Sequence, residues 1–283
     1  MPGPRIDLHT HSTASDGTTP PAQLVREAAA AGLDVVALTD HDTTDGHAEA
    51  AAALPPGLVL VPGAEISCEA DGTSLHLLGY LFDPQDPAVV EAFAALRGSR
   101  NGRAERMARR LEEAGTGVTW ERVQQLAQGT VGRPHLAQAL VEQGHVGSVS
   151  EAFSAEWLGD GGRFYEKKLQ LDVVEAVRMV VAAGGVAVFA HPQAVKRGRT
   201  VADDVVAAMA EAGLAGLEVD HVDHDEAARR HLRGLAAELD LVVTGSSDYH
   251  GENKTVRLGD ERTDPEQYAR LVERATGATV ITG

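Results

Sequence analysis

Two histidines one residue apart, His9 and His11, close a short apolar stretch carrying Ile6 and Leu8. Side chains at i and i+2 of an extended segment point the same way, so this pair can grip one metal ion from one face. Five residues on, Asp16 sits in a polar turn, Ser15-Asp16-Gly17, which can fold back over the same mouth. A lone His-x-His is a weak signal, but similar arrangements return down the chain. His41 follows the apolar run 35–38, Glu65 follows 58–61, His191 follows 186–190, and Asp248-Tyr249-His250 follows 241–244. His76 lies inside a strand-like stretch, 75–80. The result is nine candidate ligands: six His, two Asp and one Glu. Singly, each has a plain alternative, such as Asp248 capping a turn. Together, imidazoles and carboxylates suit Zn, Mn or Fe(II) better than Ca or Mg, which favour oxygen-only shells.

The elements that must position these residues alternate. Helical stretches are predicted from a Thr cap and Pro20-Pro21 to Gly32, then over 48–54, 171–183, 203–212, 225–239 and 265–275. Repeated βα units predict an α/β fold with parallel strands and right-handed crossovers. In such folds the strand C-termini gather at one face, where chemistry sits. A long helix over 88–114 interrupts the alternation, and its Arg97, Arg100, Arg103, Arg106, Arg109 and Arg110 are expected to form a solvated helix face. Shorter helices are expected at 119–128, 134–143 and 150–158. Residues 96–165 are therefore read as an inserted helical subdomain, with 1–95 and 166–283 forming the main body.

Composition bounds the partners. The 283 residues suit one large domain, or one domain with an insertion, and 43% hydrophobic content supplies a core. No apolar run reaches transmembrane length and no signal pattern opens the chain, so no membrane partner and a cytoplasmic location are expected. Cys68, the single cysteine, excludes an internal disulfide and is expected as a small buried side chain. A formal net charge of −17 disfavours binding of long nucleic acid. It leaves room for a small phosphorylated substrate, because metal ions can supply the missing positive charge.

The motifs Asp7-Leu8-His9-Thr10-His11-Ser12, Leu38-Thr39-Asp40-His41-Asp42, Gly63-Ala64-Glu65-Ile66-Ser67, Leu75-His76-Leu77-Leu78-Gly79-Tyr80, Ala190-His191-Pro192 and Gly245-Ser246-Ser247-Asp248-Tyr249-His250 together resemble the PHP (polymerase and histidinol phosphatase) metallophosphoesterases. The resemblance spans nearly the whole chain. Gly132-Arg133-Pro134-His135-Leu136-Ala137, Tyr165 and the segment from Ala182 to Val188 resemble the branch holding 3′,5′-nucleotide bisphosphate phosphatases and 5′-to-3′ exoribonucleases. It implies a distorted (β/α)7, TIM-like barrel carrying two or three divalent ions. By this resemblance one ion takes His9, His11, Glu65 and Asp248, a second takes Glu65, His76 and His191, and a third takes Asp16, His41 and His250. Many members have a histidine where this chain has Asp16. Asp40 is implied as a partner that orients a ligand histidine.

The implied reaction is attack on phosphorus by a hydroxide that two ions sharing Glu65 hold and activate. Glu65, His191, Asp248 and His250 are its expected catalytic residues. The leaving-group acid stays open between His191, His250 and a metal-bound water. Arg133 offers a planar fork for phosphate at a helix start, or merely caps that helix; His135 and Lys167 are further substrate candidates, followed by Lys168, Lys196, Arg197 and Arg199. His221 and His224 are expected at the substrate mouth or on the surface. The expected substrate is the 3′-phosphate of a nucleoside 3′,5′-bisphosphate. The alternatives, in order, are stepwise 5′-to-3′ cleavage of short RNA or DNA, histidinol-phosphate hydrolysis, and a non-catalytic metal-binding module.

Overall fold

The computed structural model describes residues 3–127, 131–195 and 198–283. Its elements are β1 (Ile6–Asp7), α1 (Pro21–Ala30), β2 (Val35–Leu38), α2 (His47–Ala52), β3 (Val59–Ala70), β4 (Thr73–Tyr80), α3 (Pro87–Glu113), α4 (Trp120–Leu126), α5 (Arg133–Glu142), β5 (Leu171–Asp172), α6 (Val173–Ala182), β6 (Val186–Phe189), α7 (Asp203–Glu211), β7 (Gly216–Asp220), α8 (Glu226–Glu238), β8 (Val242–Gly245), α9 (Pro265–Val272) and β9 (Ile281–Thr282). Seven strands form one curved sheet in the order β1-β2-β3-β4-β6-β7-β8, while β5 and β9 pair with β3. A parallel bridge between Thr10 and Tyr249, just beyond β1 and β8, brings the outer strands together, so the sheet is a nearly closed, distorted TIM-like barrel.

The sheet is not wholly parallel, which corrects the simple βα reading. β4 runs antiparallel to both β3 and β6. The hairpin turns at Asp71-Gly72, both left-handed (φ 50° and 70°), the geometry of a type I′ turn. β3 is also longer than expected: its first residues pair with β2 and the rest with β4. Gly63 marks the transfer, where a Cβ would meet Gly79 O at 2.8 Å. Glu65 therefore sits within a strand and not at its end.

Alternation along β2 sorts the core. Val36 and Leu38 pack with Leu24, Val25 and Ala28 of α1, while Val35 and Ala37 meet Val61, Leu78, Val188 and Val242 from other strands. α3 is one continuous helix, capped by the Asp86 carboxylate. Its Val89, Phe93 and Leu96 join the core beside α6, whereas Met107, Ala108 and Leu111 pack with α4 and α5 residues. The expected helix over 150–158 is reduced to a 3-10 turn, Glu151–Phe153, and Pro20, not a threonine side chain, precedes α1. Among the described residues no helix is long and apolar enough to cross a membrane.

Candidate metal centre

The nine candidate ligands converge at one mouth of the barrel. Among the described residues, ligand atoms within 4.8 Å of one another form three groups: His9, His11, Glu65 and Asp248; His41, Glu65 and His76; and His11, Asp16, His41 and His250. His191 joins through Nε2, 3.0 Å from Glu65 Oε1. His41 belongs with Glu65 and His76 as well as with Asp16 and His250, so it is shared more widely than the motif order implied.

Backbone strain aims several of these side chains. His191 and Asp248 adopt left-handed conformations (φ 32° and 54°), as does Asp42 (φ 55°), in the segments that follow β6, β8 and β2. Such conformations cost about 1–3 kcal/mol each for residues other than glycine, and they concentrate where function over-determines them.

The donor set fits divalent ions. His9 Nε2 and His11 Nε2 face each other at 3.0 Å in a fully buried setting. His41 Nδ1 and His76 Nδ1 lie 3.2 and 2.7 Å from Glu65 oxygens, yet neither nitrogen makes a hydrogen bond. Buried nitrogens and carboxylate oxygens that crowd together without hydrogen-bond geometry are arranged as ligands around a cation. Burial opposes the charge on Glu65, but His76, His41 and His9 outweigh it and hold the carboxyl well below its usual range. Asp16 behaves likewise, through His41 and His250. Burial pushes His41 well below the imidazole range, and it also works against a charge on His11; there Asp248 and Glu65 prevail and raise the value to about 9.

Glu218, which sequence reasoning missed, ties three motifs together. Fully buried on β7, it accepts from His9 Nδ1 (2.9 Å), from the His191 N–H (2.7 Å) and from Ser246 Oγ (2.9 Å). Its carboxylate fixes the His9 tautomer so that Nε2 faces the cluster. A lone acid inside a buried apolar strand was the available signal. Asp40 acts differently from the expectation: it accepts from Ser12 N, Ser12 Oγ and Ser15 Oγ, and so holds the loop that carries Asp16, not a histidine ring. His221 and His224 are buried, which corrects the surface alternative. His224 Nδ1–H donates to Val219 O, and its Nε2 accepts from the Gln193 N–H, pinning the segment after His191.

A second set of side chains adjoins the ligands. Arg100, 5% exposed, donates to Asp42 Oδ2 (2.9 Å) and Ser67 Oγ (3.0 Å); the Lys168 ammonium donates to the same hydroxyl. Asp42 follows His41, and its N–H donates to Glu65 O. Arg103 is 4% exposed and its Nε has no hydrogen-bond partner. Burial, with Arg133 and Arg100 nearby, lowers its guanidinium to about 9. Burial, with Arg100 and Asp42 as opposing neighbours, also pushes Lys168 well below the usual lysine range. Two members of the expected solvated arginine face are therefore buried, while Arg106 and Arg109 remain exposed.

The predicted substrate residues are placed unequally. Arg133 lies between the rings of Phe153 and Tyr165 and pairs with Asp160 at 2.7 Å. His135 Nδ1 accepts from Gly132 N–H at the start of α5, and its ring is buried near Arg100 and Asp16. Lys167 is exposed, and Lys168, half-buried, donates to Ser67 Oγ. Arg199 donates to Gly72 O in the hairpin turn; Lys196 and Arg197 lie outside the described residues.

The PHP domain family model matches residues 7–275. A 3′,5′-nucleoside bisphosphate phosphatase of Chromobacterium violaceum is 31% identical over 279 residues, covering 98% of both chains. A 5′-3′ exoribonuclease of Haemophilus influenzae is 36% identical over 257 residues, covering 90% of this chain and 93% of its own. A solved structure described as a metal-dependent phosphoesterase from Bifidobacterium adolescentis superposes with a TM-score of 0.92 at 36% identity, over 97% of this chain and 98% of its own.

Proposed function

The chain belongs to the PHP domain family of metal-dependent phosphoesterases, and from that premise we propose that it removes the 3′-phosphate of nucleoside 3′,5′-bisphosphates, leaving the 5′-monophosphate. The observation that carries the proposal is a cationic set of buried Arg100 and Arg103 with half-buried Lys168: Arg100 bonds Asp42, next to His41, and Arg100 and Lys168 both bond Ser67, two residues from Glu65. A metal cluster alone accounts for phosphoester cleavage. Unpartnered buried guanidinium nitrogen beside it calls for a second anion on the same substrate, because a desolvated cation without a counter-charge is costly.

The ions would be held by His9, His11, Glu65 and Asp248, by Glu65, His76 and His191, and by Asp16, His41 and His250; two or three Mn, Zn or Fe ions fit this donor set. When bound, such ions supply a nucleophile at neutral pH and neutralise charge developing on the phosphoryl oxygens. The chain's own contribution is positional. Glu65 presents both oxygens to imidazoles, Oε1 towards His76 and His191 and Oε2 towards His9, His11 and His41. Glu218 fixes His9 and the turn at His191, and Asp40 fixes the Asp16 loop. Arg100, Arg103 and Lys168 hold the non-reacting phosphate, with His135 at its border and Arg133 able to exchange Asp160 for a phosphate oxygen. His191 and His250 remain the protein candidates for protonating the leaving oxygen.

A second reading is stepwise cleavage of short oligonucleotides from the 5′ end, favoured by the exoribonuclease relative. In that case the cationic set grips the 5′-phosphate of the terminal nucleotide. The deciding experiment reloads metal-depleted protein with Mn, Zn or Fe(II) and follows phosphate release from adenosine 3′,5′-bisphosphate, 5′-AMP and histidinol phosphate, and shortening of 5′-phosphorylated RNA. Release from the bisphosphate alone supports the first reading. Shortening of RNA without phosphate release from the bisphosphate supports the second.

A further inference from the structure

Asp248 must present one carboxylate oxygen to the cluster and keep the other away. Oδ1 lies 3.5 Å from His9 Nε2, 3.4 Å from His11 Nε2 and 3.3 Å from His250 Nδ1. Oδ2 turns the other way, to Lys254 Nζ at 2.6 Å and His221 Nε2 at 3.5 Å. His221 Nδ1 accepts from the Asp223 N–H, which leaves the ring proton on Nε2, facing Oδ2. Lys254 Nζ also reaches the Asp248 carbonyl at 3.4 Å, so one ammonium grips both ends of a residue whose backbone is left-handed.

The chain takes a particular route to make this contact. Gly251, left-handed at φ 66°, opens a 3-10 turn over Gly251–Asn253 that reverses the chain and returns Lys254 to Asp248. The same turn is bolted to the Asp16 loop: Glu252 N–H donates to Thr18 Oγ1 (2.8 Å), and Asn253 Nδ2 donates to Asp16 O (3.1 Å). An exposed lysine would need no such scaffold, and a cation beside a metal site is electrostatically unfavourable unless its placement gives something back.

We infer that Lys254 is a positioning residue, which locks Asp248 with Oδ1 towards the cluster and Oδ2 away from it, so that Asp248 acts as a one-oxygen ligand. The inference rests on the proposed metal centre, and not on which substrate that centre turns over. Partners of metal ligands that act in this way typically contribute about 10–100-fold in metal affinity. Lys254→Arg retains a cation on a long stem and keeps part of the lock; Lys254→Met keeps the apolar stem and loses it.

The test titrates Mn(II) into metal-free wild type, Lys254→Met and Lys254→Arg, counting free Mn(II) by electron paramagnetic resonance and checking folding by circular dichroism. Expected is a loss of about tenfold or more in Mn(II) affinity for Lys254→Met and an intermediate value for Lys254→Arg. Excess Mn(II) should restore kcat to Lys254→Met with KM unchanged. Unchanged or tighter Mn(II) binding by a folded Lys254→Met would overturn the inference, since removal of the charge would then be the dominant effect. A raised KM at unaltered Mn(II) affinity would also overturn it, by making Lys254 a substrate contact. If Lys254→Met does not fold, Lys254→Arg decides: weaker Mn(II) binding supports the lock, and wild-type binding refutes it. If no protein, wild type included, binds Mn(II), the metal-centre reading itself falls.

Discussion

Arg103 carries a buried charge on a helix whose neighbouring turns supply more cations, Arg100 among them. Such a residue destabilises the free protein, and under the proposed function it gains its return on binding the substrate's second phosphate. Arg103→Met should therefore stabilise the metal-free protein by about 1–3 kcal/mol in urea unfolding, the usual cost of a buried unsatisfied polar group. It should also raise KM for the bisphosphate about tenfold or more, consistent with the loss of a charge-assisted hydrogen bond. Lys168 gives a pH signature. Its depressed value means that the ammonium loses its proton earlier than an exposed lysine would, and only the charged form attracts an anion. Sulfate affinity, measured because sulfate keeps its charge through the neutral range, should accordingly fall as pH rises, and Lys168→Arg should flatten the fall. A profile that stays flat in the wild type would remove Lys168 from the anion site.

At the scale of elements, the turn after β8 couples two ligand-bearing loops through one glycine. A Cβ on Gly251 would lie 2.1 Å from Thr18 Oγ1, and the backbone there is left-handed. Gly251→Ala should therefore cost about 2–4 kcal/mol and loosen the Asp16 and Asp248 loops together, visible as faster amide exchange in both. Exchange quickened in only one loop would refute the coupling. The β3–β4 hairpin works by the same economy of position: its turn at Asp71-Gly72 returns the chain so that His76 stands opposite Ser67 and two residues along from Glu65's partner, Leu78. The Asp-Gly pair flanked by strand residues is a hairpin signal that can be read directly in the chain. The expectation of repeated βα units hid it, since parallel pairing accounts for every other strand except the short terminal β9, which pairs antiparallel with β3.

For the whole molecule, the mouth concentrates carboxylates and imidazoles that repel or crowd one another when no cation separates them. Chelation should therefore lower the melting temperature by several degrees, with recovery on adding Mn, Zn or Fe(II), because an ion that binds only the folded state stabilises it by mass action. A melting curve indifferent to chelator, in protein shown to contain metal, would contradict the fit of the donor set. The net charge of −17 acts at the same scale. Turnover of 5′-phosphorylated RNA should decline as the strand lengthens beyond the cationic set, and the decline should ease with added salt, which screens the acidic surface.

Much of this protein was legible in the chain. Residue types near strand ends, the His-x-His and Asp-x-His spacings and the basic residues of α3 are visible in the chain itself, whereas the left-handed backbone that aims Asp248 is not. Those visible features identify the nine candidate ligands and the α/β architecture without reference to distant contacts. What tertiary structure alone decided is the company each residue keeps. Glu218 reaches His9 across 209 residues, Lys168 reaches Ser67 across 101, and Arg133 meets Asp160 in place of open solvent. Arg100 and Arg103 have the composition of a solvated face and the burial of a site. Which face of a helix meets water is settled by what packs against it, and that information is spread over the whole chain.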